Sequence, residues 1–363
     1  MKIIDRYILK KFFVTFFFCL IALTVLVVIV DLSEKTDDFA KTKLPAATII
    51  TDYYFGFLPR IIAMLFPLFI FIAVIFFTSI MANRSEVIAI LSSGTSFARF
   101  LRPYMVGGLL FTVFLWWSNQ YVLPPANQKW ATFNSKYIDF NYGNYENTST
   151  ISYKYFKLDS LSYAGVRYYD TVSRRGSNFF IQKFNKTNLI YNLRAQNISW
   201  DTATRKWRLD NVVERTIDGL HQHVKDTTTL QMNFNFKPRD LQRDEYMKDK
   251  LTTPELNDFI KLEKLRGAED VNALMLEKNN RNANPVSVFI LTIIGASIAS
   301  KKIRGGSGFH LAIGVGICVL YILVGRFAAV FSLKGNFNPI IAAWLPNVAF
   351  GILAWYLYRK ASR

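Results

Sequence analysis

The sequence is poor in the residues that staple small domains or build catalytic centres. Of 363 residues, two are cysteine and three are histidine. Cys19 and Cys318 lie far apart, each inside an apolar run, with no CxxC pair. That spacing excludes a disulfide framework and a zinc ribbon, and it fits small hydrophobes within helices. Acidic residues are also scarce: 26 Asp and Glu stand against 44 Lys and Arg, for a formal net charge of +18. No Walker A sequence, GxSxG elbow or HExxH helix occurs, so nucleotide hydrolysis, serine esterase chemistry and zinc proteolysis have no motif to rest on. His221 and His223 share one strand face without a third ligand nearby, and His310 opens a helix at an expected membrane interface. The lack of an acid-base or metal cluster leaves a lipid-modifying enzyme unsupported. No carboxylate sits in the middle of an apolar run, which argues against an autonomous proton- or sodium-coupled carrier.

What the sequence has in excess is apolar surface. Hydrophobic residues make up 51% of it, aromatics 16% and charged residues only 19%, with 32 phenylalanines. This is too apolar for disorder and too weakly charged for a soluble nucleic-acid binder. A bilayer core takes about 20 apolar residues per helix. The first such run, Phe12 to Val30, follows Lys2, Arg6, Lys10 and Lys11. It is too long for a signal peptide core and leads into DLSEKTDD rather than a cleavage site, so it reads as an uncleaved anchor. The second run covers residues 55–80, with Pro59 and Pro67 inside it, and the third covers 104–123. From Pro124 to Pro285 the chain is polar and alternating. ISYKYFKL, YAGVRYYD, NFFIQKF, NLIYNLRAQNISW, KWRLDNVVERTI and TLQMNFNF read as half-buried strands of a sandwich or jelly roll. Thr253-Pro254-Glu255 opens a helical connector, and three more runs follow at 286–299, 309–331 and 339–358.

The predicted architecture is an integral membrane α-helical protein with six transmembrane helices, three plus three, and an inserted periplasmic β-jelly-roll domain. Residues 1–124 hold spans one to three, with a short helix near 84–94. Residues 125–250 form the β-domain, 251–284 a helical connector, and 285–363 spans four to six. Charge sets the orientation. The N-terminal segment, the loop at 84–102, SKKIRGGSG and the YRKASR tail carry basic residues almost alone, opposed by Asp5 and Glu86. That side is expected to be cytoplasmic, with both termini inside and the β-domain outside. Most of the positive charge is therefore an orientation signal, and no nucleic-acid partner is expected.

The segment NRSEVIAILSSGTSFARFLRP, residues 83–103, joins spans two and three. Glu86 to Leu91 forms an amphipathic turn of helix that Ser92, Ser93 and Gly94 end, with Arg84 and Arg99 flanking it. Two readings stand: a helix that docks into a soluble partner, or an ordinary interfacial helix.

In these residues the chain resembles the permease subunits of the lipopolysaccharide exporter, the LptF/LptG family. IDRYILKKF, LPR with LFP in span two, RSEVIAILSSG, KWRLDNV, NANPVSV and AWLPNVAF match it in order along nearly the whole chain. DRYI and VDLSEK look closer to the G-type subunit, although Val28 stands where that subunit has a lysine. The resemblance implies a bacterial inner-membrane permease that pairs with a second permease of the family. A dimer of cytoplasmic ATPase subunits, which bind ATP and Mg, would grip the coupling helix. Lipopolysaccharide would pass from the outer leaflet into the β-jelly roll and on to periplasmic jelly-roll bridge proteins, with no cofactor bound by the permease and no catalytic residue of its own. On this reading Arg84, Glu86, Ala89, Ser93 and Gly94 couple to the ATPase. The lipid phosphates call for cations near the outer rim: Lys35, Lys41, Lys43, Arg60, Lys129, Lys136 and Arg326. For Arg60 and Arg326, snorkelling to membrane lipid headgroups is the competing role. A membrane-anchored envelope assembly protein, whose β-domain binds a partner without transport, is the alternative function.

Overall fold

The computed structural model describes residues 3–138, 150–159, 161–170, 173–186, 188–202, 204–219, 221–234, 236–238, 246–266, 268, 270–302, 306–335 and 337–362. The chain forms two compact units. A helical unit comprises Met1–Phe133, Lys248–Leu256 and Asn272–Arg363, and a β-unit comprises Asn134–Met247 and Asn257–Val271.

The helical unit opens with α1 (Ile3–Thr42), a helix of 40 residues and about 60 Å. The span therefore does not stop at Val30, and the DLSEKTDD stretch continues the helix. Two of its acids turn inward, while Glu34 and Asp37 stay exposed. Asp31 and Asp38 are buried, and Asp31 accepts a hydrogen bond from the Tyr53 hydroxyl at 2.9 Å. The Lys35 ammonium lies 5.2 Å from the centre of the same Tyr53 ring. Lys43, with φ of 53°, breaks α1 in the left-handed region.

The second span is built from α2 (Ala46–Thr48), a π-helical stretch Ile49–Tyr54 and α3 (Phe55–Asn83). Pro59 and Pro67 lie inside α3, where each removes one backbone donor without ending the helix. Next come α4 (Glu86–Ser92), α5 (Phe97–Tyr121) and α6 (Leu123–Phe133). Beyond the β-strands lie α7 (Met247–Lys250), α8 (Thr253–Arg266), α9 (Val271–Ala299), α10 (Gly306–Lys334) and α11 (Pro339–Ser362). The fourth span is thus the second half of a helix that begins in the expected connector and runs through Pro285.

Among the described residues, six helices are long and apolar enough to cross a membrane. α3 lies at the centre of their packing. On one face Phe66, Phe69, Ile70 and Phe77 meet Ile8, Phe12 and Phe16 of α1 and Phe100, Tyr104 and Phe111 of α5. On the other, Phe71 and Ile75 meet Leu291 and Ile294 of α9, Cys318 of α10 and Phe350 of α11. Lipid tails are as apolar as these side chains, so close packing, rather than escape from water, holds the bundle. The share of each helix's most apolar stretch that is buried differs sharply: 11% for α1 and 17% for α10, against 61% for α9.

The β-unit is one antiparallel sheet of β1 (Thr150–Lys157), β2 (Ser162–Asp170), β3 (Arg175–Asn185), β4 (Asn188–Asp201), β5 (Lys206–Asp218) and β6 (His221–Met232), each pairing with its sequence neighbours. The register contains a crease. Pairing skips residue 167 opposite 178, 178 opposite 196, 196 opposite 211, and 211 opposite 228, so the gaps line up across the sheet. Asn178 and Asn211 on this line are left-handed, each with φ of 53°, a conformation asparagine tolerates better than most residues. The inward-facing set changes phase there. Val166 is followed by Tyr169, Ala195 by Ile198, and Leu209 by Val212, steps of three where a flat strand takes two. The sheet therefore folds over into two leaves around one core. Gly176 shows how closely they meet, since a Cβ there would lie 2.8 Å from the Val166 side chain of the other leaf. Trp207 fills the centre, and its indole N–H donates to the Phe236 carbonyl at 2.9 Å. The sandwich expected from many short strands is thus made from six strands bent along one line.

Candidate functional site

α4 hangs between α3 and α5 as a short tab. Ser85, with φ of 58°, turns the chain into it, and Lys302 donates to the Ser85 hydroxyl at 3.0 Å. Val87 is fully buried in the α1–α3–α5 core, with Ile90 and Leu91 packed beside it. Glu86 points back to α1, accepting from the Tyr7 hydroxyl at 2.9 Å and from the Lys11 ammonium at 3.1 Å. A second pair, Arg99 to Asp5 at 2.8 Å, ties the start of α5 to α1. Gly94 closes the tab with φ of 85°, and its amide donates to the Leu91 carbonyl. The inward residues leave Arg84, Ile88, Ala89, Ser92, Ser93 and Gly94 exposed on the other side. The arrangement is a nearly uncharged ridge of small side chains, rigidly linked to the first helix. His310, expected at an interface, is instead fully buried, with its Nε2 at 2.9 Å from the Lys301 carbonyl.

The other end of α3 carries Arg60. Its guanidinium stacks 4.1 Å from the centre of the Trp130 ring and reaches Asp249 at 3.5 Å. Its Nη1 is buried without a protein partner among the described residues. Arg326 lies exposed on α10 beside the exposed Phe327, and Lys129 is exposed on α6. Lys43 ends α1, and Lys41 lies in its last turn. Lys136 belongs to the β-unit, 4.8 Å from the centre of its neighbour Tyr137. The expected cations are therefore distributed, and Arg60 is engaged by a carboxylate.

The most connected cation here is one that sequence reasoning missed. Arg281, 5% exposed, donates to Glu277 at 3.3 Å, to the Thr253 hydroxyl at 3.3 Å and to the Lys248 carbonyl at 2.9 Å. Its place four residues before Pro285, at the border of an apolar run, was the available signal. Asp249 and Asn127 were likewise invisible in sequence, because their contacts join residues more than a hundred positions apart.

Within the β-unit, a pocket opens between Leu158, Ile181, Tyr191, Met232 and Phe234, with Asp159 and Lys183 at its lining. It offers an apolar wall with a few polar groups. The Asp159 carboxyl is held below the usual range, first by the Leu161 backbone amide that donates to it.

The profile of the family described as lipopolysaccharide export system permease LptF/LptG matches residues 6–360. The chain is 21% identical, over 366 aligned positions, to the lipopolysaccharide export system permease protein LptG of Escherichia coli strain K12, and the alignment covers 99% of both chains. It shows the same identity and coverage to the LptG protein of Escherichia coli O6:H1, strain CFT073.

Proposed function

This chain belongs to the lipopolysaccharide export system permease LptF/LptG family, and on that footing we propose that it is the membrane subunit of an ATP-driven exporter in the bacterial inner membrane. The basic α4 end faces the cytoplasm and the β-unit the periplasm. The chain pairs with a second permease of the family. A dimer of ATPase subunits, which bind ATP and Mg, grips α4. Closure of the ATPase pushes the bundle, lipopolysaccharide leaves the outer leaflet, and the lipid enters the folded sheet on its way to periplasmic jelly-roll bridge proteins. The permease contributes surfaces and motion rather than bond chemistry.

One observation carries this reading: the α4 tab. A passive anchor has no use for a helix that exposes Ile88, Ala89, Ser93 and Gly94 while Val87 and the Lys11–Glu86 pair lock it to α1. Force applied to the ridge passes directly into the first span. Pairing with a second permease is supported by the low burial of α1 and α10, which leaves long apolar faces for another bundle or for lipid. Lys35, Lys41, Lys43, Lys129, Lys136 and Arg326 are proposed to meet the anionic headgroups, together with Arg60 through its unpartnered Nη1.

A native mass spectrum of the complex, extracted in mild detergent from cells that make the full chain, tests the proposal. The expected assembly holds two permeases, two ATPase subunits and bound lipopolysaccharide. An assembly with envelope proteins alone, lacking any ATPase, contradicts it.

A further inference from the structure

Leaving the β-unit at Met247, the chain spends nine residues, Lys248–Leu256, in the helical unit and returns to the β-unit at Asn257. Chain that merely links two folded bodies has no need of buried charge, yet two arginines hold this strap. Arg281 of α9 donates to the Lys248 carbonyl and the Thr253 hydroxyl. Arg60 of α3 pairs with Asp249, whose carbonyl accepts from Asn127 of α6 at 3.0 Å. Thr253 in turn donates to Gln120 of α5, and Leu256 is fully buried. Four helices, α3, α5, α6 and α9, thus hold the strap at Lys248, Asp249 and Thr253.

A buried guanidinium with three partners persists only where its geometry is complete, because an unpaired charge in such a place is strongly disfavoured. The strap is therefore pinned to the bundle by directional polar contacts as well as by the buried Leu256. We propose that Arg281 is a positioning residue of transport: it fixes the strap so that movements of α5 and α9 are delivered to the two junctions at its ends, Met247 to Lys248 and Leu256 to Asn257. The proposal rests on the reading of the chain as an ATP-driven permease. It adds a mechanical link between the moving helices and the domain that receives lipid.

The test uses the complete exporter in proteoliposomes and measures both ATP hydrolysis and ATP-dependent transfer of lipopolysaccharide to a crosslinker placed at Ile181. Arg281→Gln is expected to lower transfer about tenfold while hydrolysis continues near the wild-type rate, and Arg281→Lys to fall between the two. A Gln120→Cys/Thr253→Cys pair, oxidised on the Arg281→Gln background, re-pins the strap covalently and is expected to restore transfer. Amide exchange at residues 252–256 should rise in Arg281→Gln and fall again with the crosslink. Wild-type transfer in Arg281→Gln, or no recovery when the disulfide forms, overturns the inference. Equal loss of hydrolysis and transfer, with no rescue, marks a merely structural arginine and also overturns it. A wild-type complex that transfers no lipid with ATP contradicts the exporter reading itself, and the inference falls with it.

Discussion

α1 and α9 are both long helices that cross the bilayer region, and they are built on opposite plans. α1 is the more apolar, yet only 11% of its most apolar stretch is buried; for α9 the figure is 61%. The buried side of α9 carries Ser287, Thr292, Ala296 and Ser297 beside Val288, Leu291 and Ile294. Its N-terminal half adds Arg281 and the backbone of Ala283, which accepts from Asn347 of α11 at 2.7 Å. In a bilayer, hydrophobicity marks what may face lipid, whereas small and hydrogen-bonding residues mark what faces protein. The contrast separates a closely packed interior, α3 and α9, from the two helices, α1 and α10, with most surface to offer a partner.

The sharpest break of that comparison lies within α1 itself. Phe12 is fully buried against Phe77 and Tyr104, so Phe12→Ala should cost about 3 kcal/mol. Phe18, six residues on, is 66% exposed, and Phe18→Ala should stay within about 0.5 kcal/mol. Thermal unfolding of both variants in one detergent compares them; equal losses would abolish the division of α1 into a packed stripe and a free face. On α9, Ala296→Leu forces extra carbons into a closed site and should cost about 2 kcal/mol. No change in melting would show that α9 is less tightly packed than its burial implies.

At the tab the effect moves from stability to assembly. Glu86→Lys sets two ammonium groups together where Lys11 now meets a carboxylate. The pair is partly exposed, so the fold should lose less than about 1 kcal/mol. Binding of the proposed ATPase should weaken about tenfold, because the ridge loses its fixed angle. Retention of full ATPase on affinity-purified Glu86→Lys would separate the tab from coupling.

The smallest expected effect is at the start of α8. The Glu255 carboxyl accepts from the Thr252 hydroxyl and amide, and these bonds hold it below its ordinary value of 4.5. A carboxyl lowered in this way stabilises the cap above that value, and the contribution is lost as pH falls through the folded value. Protection of the Thr252 amide, relative to its intrinsic exchange rate, should therefore be lost as pH falls below 4.5 in the wild type and show no such step in Glu255→Gln. A step of equal size in both would assign it to another group.

Much of this architecture was legible in sequence, and the failures have physical causes. The six spans and the first five strands follow from run length and alternation, which are local properties, whereas β6 runs from His221 to Met232, starting ahead of the TLQMNFNF run. The extension of α1 to Thr42 was hidden because Asp31, Glu34, Asp37 and Asp38 look like solvated loop, and only the Tyr53 hydroxyl from the next span reveals Asp31 as an inward group. The crease of the β-unit was hidden because left-handed Asn178 and Asn211 resemble ordinary strand asparagines until their registers are aligned. Of the site, the tab and its closing glycine were readable from RSEVIAILSSG. The Lys11–Glu86 lock and the Arg281 strap were not, since each depends on residues distant in the chain.

On the proposed function, ATP-driven movement of the helical unit delivers lipid into the folded sheet. A photocrosslinker at Ile181, inside the β-unit pocket, tests it in proteoliposomes holding the complete exporter and lipopolysaccharide. Crosslinked lipid is expected to accumulate with ATP and Mg and to stay at background without them. Equal crosslinking in both conditions, or none in either, would contradict it.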